Sequence, residues 1–100
     1  MNNTKKTEWK VDPDLASHEY LDLGLVRLEV RPSLVWLDNS PKSWRVELWA
    51  VNGGGEYDDV DMRITDLCAG QTTIEAAKAL GIARAKAILT ESLKALESVE

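Results

Sequence analysis

The chain has 100 residues, 44% of them hydrophobic and 29% charged, which suits one domain around one core and excludes two. Its net charge of −5 argues against a protein that coats nucleic acid, and no apolar run approaches the roughly 18 residues a membrane span requires. Cys68 is the lone cysteine and His18 the lone histidine, which excludes an internal disulfide and a structural zinc site.

Residues 1–7 read as a flexible polar tail and residues 8–100 as a single domain. The opening MNNTKKTEWK is followed by no hydrophobic segment, so it is no secretory signal, and a cytoplasmic protein is expected. Glu8 to Val11 allows a short strand. In VDPDLASHEYLDLG, Asp12 suits an N-cap, Pro13 the first helical position and Gly24 a C-terminal stop. A short helix is predicted over Pro13 to Asp22, with Ala16, Tyr20 and Leu23 sharing a face.

Leu25 to Arg31 alternates, with Val26, Leu28 and Val30 on one side and Arg27, Glu29 and Arg31 on the other. Pro32 marks an edge, a bulge or a break, after which SLVWLD continues the strand or forms a separate one. DNSPKS has turn chemistry. In WRVELWAV, Trp44, Val46, Leu48 and Ala50 form one face, opposite Arg45, Glu47, Trp49 and Val51. NGGGE reads as a hairpin connector. VDMRIT predicts a further strand with Val60, Met62 and Ile64 inward and Asp61, Arg63 and Thr65 outward.

Thr72 and Glu75 match a capping box that starts the last helix. The stretch TIEAAKALGIARAKAIL resembles a DNA-binding helix-turn-helix, with Ala77 in its first helix and Gly81 at its turn. In that frame the family places bulky apolar residues where Ala87 and Thr90 stand here. On one continuous helix, by contrast, Ile74, Ala77, Gly81, Ile82, Ala85, Ile88, Leu89, Leu93, Leu96 and Val99 fall in a single arc that keeps its phase through Gly81. Lys78 sits inside that arc and is expected to snorkel to its edge. One long helix is predicted.

The expected fold is therefore an α+β two-layer sandwich: a short N-terminal helix, an antiparallel three- to four-stranded meander and a long C-terminal helix packed on one sheet face. The double-stranded RNA-binding domain is similar in element order. Its lysine-rich start to the last helix is replaced here by QTTIEAAK, so RNA binding is not carried over.

Ser17, His18 and Glu19 are sequence neighbours and cannot align as a catalytic triad on a helix. Cys68, in LCAG, reads as a small buried residue. NGGGE lacks the GK[ST] of a P-loop, and GEYDDVD lacks the ligand spacing of a calcium loop. No enzyme, cofactor or metal site is expected. Two features point to protein binding. Alternation sends Trp49 to the uncovered sheet face beside Arg27, Arg31, Glu47 and Arg63, the composition of an interface hot spot. The acidic loop carries Glu56, Asp58, Asp59 and Asp61, suited to a basic partner or, more simply, to a solvated edge.

The expected function is a small, acidic, non-enzymatic protein-binding module, an inhibitor or adaptor with a protein partner and no membrane partner. In general character it is similar to phage-encoded inhibitors, including anti-CRISPR proteins. The alternatives are a DNA-binding regulator built on Gln71 to Leu89, and a homodimer whose partner is a second copy.

Overall fold

The computed structural model describes residues 7–15, 17–35, 41–51 and 61–99. In chain order they form β1 (Lys10–Val11), β2 (Glu19–Asp22), β3 (Val26–Val35), β4 (Pro41–Ala50), β5 (Met62–Gln71) and α1 (Ile74–Glu97). The strands make one antiparallel five-stranded sheet in sequence order, with α1 across one face. The fold is α+β, with more strands than the three or four expected.

Alternation in β3 and β4 acts as the sequence predicts. Leu28 pairs with Leu48 and Val30 with Val46, and all four are at most 1% exposed beneath α1. Pro32 sits at a bulge where β3 has outrun β2, whose pairing stops at Val30. The missing N–H of Pro32 therefore faces no ladder partner on the β2 side.

The predicted helix over Pro13 to Asp22 is not formed. Asp12 accepts a hydrogen bond from the Asp14 amide at 2.8 Å, a local turn, and its own amide donates to the His18 carbonyl at 2.9 Å. The loop closes there, and Glu19 to Asp22 pair with β3. Leu21 enters the core, whereas Leu23 is exposed and Tyr20 lies on the opposite sheet face, so Tyr20 and Leu23 share no buried helix face. Gly24, at φ 96°, turns the β2–β3 hairpin.

The last strand also differs. It runs on to Gln71, and Met62 and Ile64 are 67% and 53% exposed instead of inward. Bulges between β4 and β5 add residues to β5, so that Leu67 and Cys68, adjacent in sequence, are both buried. Val60 lies outside the described residues.

The last helix starts one residue later than its capping box implied. Thr73 is the N-cap, and its hydroxyl accepts from the Ala76 amide at 3.0 Å. α1 then runs unbroken through Gly81, so Gln71 to Leu89 form no helix-turn-helix. The reason lies in the packing: a Cβ on Gly81 would stand 2.7 Å from Val46 Cγ1, so the helix backbone rests directly on β4. Ala77 and Ala85, also buried, continue that contact line. Two cations tie the helix to opposite sides of the sheet. Lys78 Nζ donates to Glu19 Oε1 on β2 at 2.6 Å and lies 5.1 Å from the centre of the Trp9 ring. Arg84 Nη1 donates to the Leu67 carbonyl on β5 at 2.8 Å.

Past Ala85 no described residue of α1 is buried. Exposure climbs along its apolar stripe, from 41% at Leu89 to 54% at Leu93 and 68% at Leu96. The helix leaves the sheet and carries its apolar face with it. Among the described residues, no helix is long and apolar enough to cross a membrane.

Candidate protein-binding face

The sheet face opposite α1 is built by register. Residues directly across adjacent strands share a face, so the pairings sort its side chains into rows. Tyr20, Glu29, Glu47 and Asp66 form the middle row. On one side of it run Asp22, Arg27, Trp49 and Arg63, and on the other Arg31 and Arg45. A line of carboxylates thus crosses the sheet between two lines that carry arginine. Like charges directly opposite are unfavourable. Diagonal contacts between the rows compensate for them.

Glu47 is the centre of this arrangement and is only 1% exposed. A buried carboxylate is tolerated only when cations and donors replace its water. Trp49 Nε1 donates to Oε1 at 3.0 Å, and Arg31 Nη1 lies 3.4 Å from the same oxygen. Arg45 Nη2 and Arg63 Nη1 approach Oε2 at 3.2 Å and 3.6 Å. Those two approaches are ionic contacts, since Oε2 accepts no hydrogen bond and the buried Arg45 Nε donates none. Arg63 also reaches Asp66 at 3.4 Å.

Arg27 forms a separate, closed group. Its guanidinium binds Glu29, with Nε at 3.0 Å from Oε2, and binds Asp61 from beyond the end of the sheet. It also lies 5.8 Å from the centre of the Tyr20 ring.

Of the residues the sequence singled out, Arg27, Arg31, Glu47, Trp49 and Arg63 do share one face, and Asp61 joins them through Arg27. Glu56, Asp58 and Asp59 lie outside the described residues. Trp49 is half-buried, with Arg27 and Arg63 as its cross-strand neighbours. Trp9 does not cover it, because Trp9 packs with Lys78 and the core on the helix side. Sequence reasoning did not select Arg45, Glu29 or Asp66. The first two carried a usable signal, since they alternate in phase with the residues chosen. Asp66 became visible only through the bulges of β5.

Elsewhere, a largely apolar groove of about 150 Å³ opens between α1 and the β2–β3 hairpin, lined by Leu21, Leu23, Leu28, Ile82 and Leu89, with Lys86 also on its wall. It continues onto the overhanging stripe of α1. A polar hollow of about 290 Å³ lies beside the loop before β2, with His18 on its wall. Burial, then Arg31, lowers the pKa of His18 below its usual 6.5. Cys68 is buried in β5, as its reading as a small buried residue implied, with its Sγ 3.6 Å from the Ala77 carbonyl, and burial pushes its thiol up. Among the described residues no three His, Cys, Asp or Glu side chains converge to hold a metal ion.

Comparison with protein families, with curated proteins and with solved structures finds no match to this chain.

Proposed function

We propose that this chain is a small non-enzymatic protein-binding module that acts through the open sheet face. The supporting observation is the set of Trp49, Arg31, Arg45 and Arg63 gathered on the buried Glu47. Tryptophan and arginine are the residues that most often dominate interface energies. Here they are held in place before any partner arrives, which lowers the ordering entropy of binding. An inhibitor or an adaptor fits this arrangement equally, because either needs capture without turnover. The test is partner capture by the wild-type protein and by Trp49→Ala. A partner lost with the indole supports the face, and a partner kept in full refutes it.

A second reading is self-association, favoured by Leu89, Leu93, Leu96 and Val99 standing exposed beside the apolar groove. Light scattering on a sizing column at two concentrations tests it, and a monomer at both would remove it. For the DNA-binding alternative, the support is weak. α1 runs unbroken from Ile74 to Glu97 with no turn at Gly81, and Arg84 is bound to the Leu67 carbonyl on β5.

A further inference from the structure

From the arginine-bearing face we infer the chemistry of its partner: an acidic protein segment that sets carboxylates on Arg31, Arg45 and Arg63. This rests on the reading of the open sheet face as the binding surface and adds what that surface selects.

The inference follows from which charges an incoming molecule meets. Around Glu47 the carboxylate is 1% exposed, whereas the side chains of Arg31 and Arg45 are each 35% exposed and that of Arg63 is 50% exposed. The anion lies beneath and the cations lie above it. One buried charge aligns three guanidinium groups without cancelling them. Asp66 offsets Arg63 alone, at 3.4 Å. Among the described residues the cluster therefore holds three cations against two anions, in a chain whose net charge is −5. Guanidinium groups bind carboxylates with paired, charge-assisted hydrogen bonds, and the exposed parts of these three side chains are what a partner reaches. Arg31 and Arg45 face each other across β3 and β4, so one carboxylate can reach both. Arg63 lies one strand further on, within reach of a second carboxylate two residues along an extended segment, roughly 7 Å away.

The Arg27 group shows the contrast. Arg27 is 21% exposed and already holds Glu29 and Asp61, so it offers a partner no free positive charge. Those carboxylates, with Asp66, border the cluster. A continuous polyanion such as a nucleic acid strand, leaving the three arginines in either direction along the rows, would run into them. A short segment with a few discrete carboxylates avoids that repulsion.

The test is a titration of the ¹⁵N-labelled full chain with octaglutamate, octaglutamine and the oligonucleotide dT8, observing the arginine Nε–H signals and the Trp49 indole signal. The expected result is that octaglutamate shifts the indole of Trp49 and the Nε–H signals of Arg31, Arg45 and Arg63. Octaglutamine should leave them in place, and added salt should shrink the shifts. Arg63→Gln, at the most exposed of the three positions, should weaken octaglutamate binding by about fivefold or more. Arg45→Gln should do the same where its melting curve shows that it folds. No shift with octaglutamate, equal shifts with octaglutamine, or stronger shifts with dT8 would each overturn the inference. Should octaglutamate fail while capture of a partner still depends on Trp49, the acidic-partner inference falls alone. Should both fail, the binding face falls with it.

Discussion

Gly81→Ala sets two known effects against each other at one atom. Replacing a mid-helix glycine by alanine normally stabilises by about 1 kcal/mol, because the backbone loses less freedom on folding. Here the new methyl would meet three carbons of Val46, at 2.7, 2.9 and 3.0 Å. Val46 is 0% exposed on β4, an interior strand between β3 and β5, and has nowhere to retreat. Overpacking of this kind costs about 1–3 kcal/mol, and these contacts belong at the upper end. The expected net effect is a loss of about 1–2 kcal/mol, or roughly 5–10 °C in Tm for a domain of this size. Urea unfolding at 25 °C measures it. Val46→Ala removes two of the three offending carbons, so the double variant should lie at least about 1 kcal/mol above the sum of the single losses. A stabilised Gly81→Ala, or strict additivity in the cycle, would refute a helix backbone resting on Val46.

The remaining predictions concern other parts of the chain. Glu47→Ala should lower unfolding free energy by about 2 kcal/mol in urea, less than for a fully buried pair, because the released arginines can turn to water. The charged form of His18 is disfavoured in the fold, chiefly by burial and then by Arg31. Its contribution to stability is therefore present above pH 6.5, the unfolded value, and lost as pH falls through the folded one. Wild type should weaken relative to His18→Gln between pH of about 7.5 and about 5 in urea midpoints. The buried Cys68 thiol should resist a thiol reagent at mildly alkaline pH until denaturant is added, whereas prompt labelling of folded protein would place it at the surface. Leu93→Lys with Leu96→Lys should leave the melting temperature almost unchanged while abolishing any dimer seen by light scattering.

What the sequence disclosed follows from which forces are local. α1 was legible because its arc of apolar positions keeps one phase through Gly81, and the same pattern placed Ala77 and Ala85 at the sheet. β2 was misread because Asp12-Pro13-Asp14 serves equally as a helix start and as a tight turn. The choice between them is made by pairing of Glu19 with Val30, a contact that local chemistry does not encode. β5 defeated the period of two because its bulges bury Leu67 and Cys68 together. Trp49 and most of the arginines of the open face were found through alternation alone. That Glu47 sits under them was not, because its burial needs arginines from β3, β4 and β5 at once.

The bulges of β5 also bear on how the sheet ends. β5 is an edge strand of ten residues, long enough to template another strand if its peptide groups were evenly spaced. Three register shifts against β4 break that spacing, and the guanidinium of Arg84 already occupies the Leu67 carbonyl. An arriving strand would find donors and acceptors out of step after two or three residues. Growth of the sheet by strand addition, the first step toward a fibril, is blocked on this side by geometry. A protein with this edge can expose long apolar stripes elsewhere and still resist polymerising through its backbone.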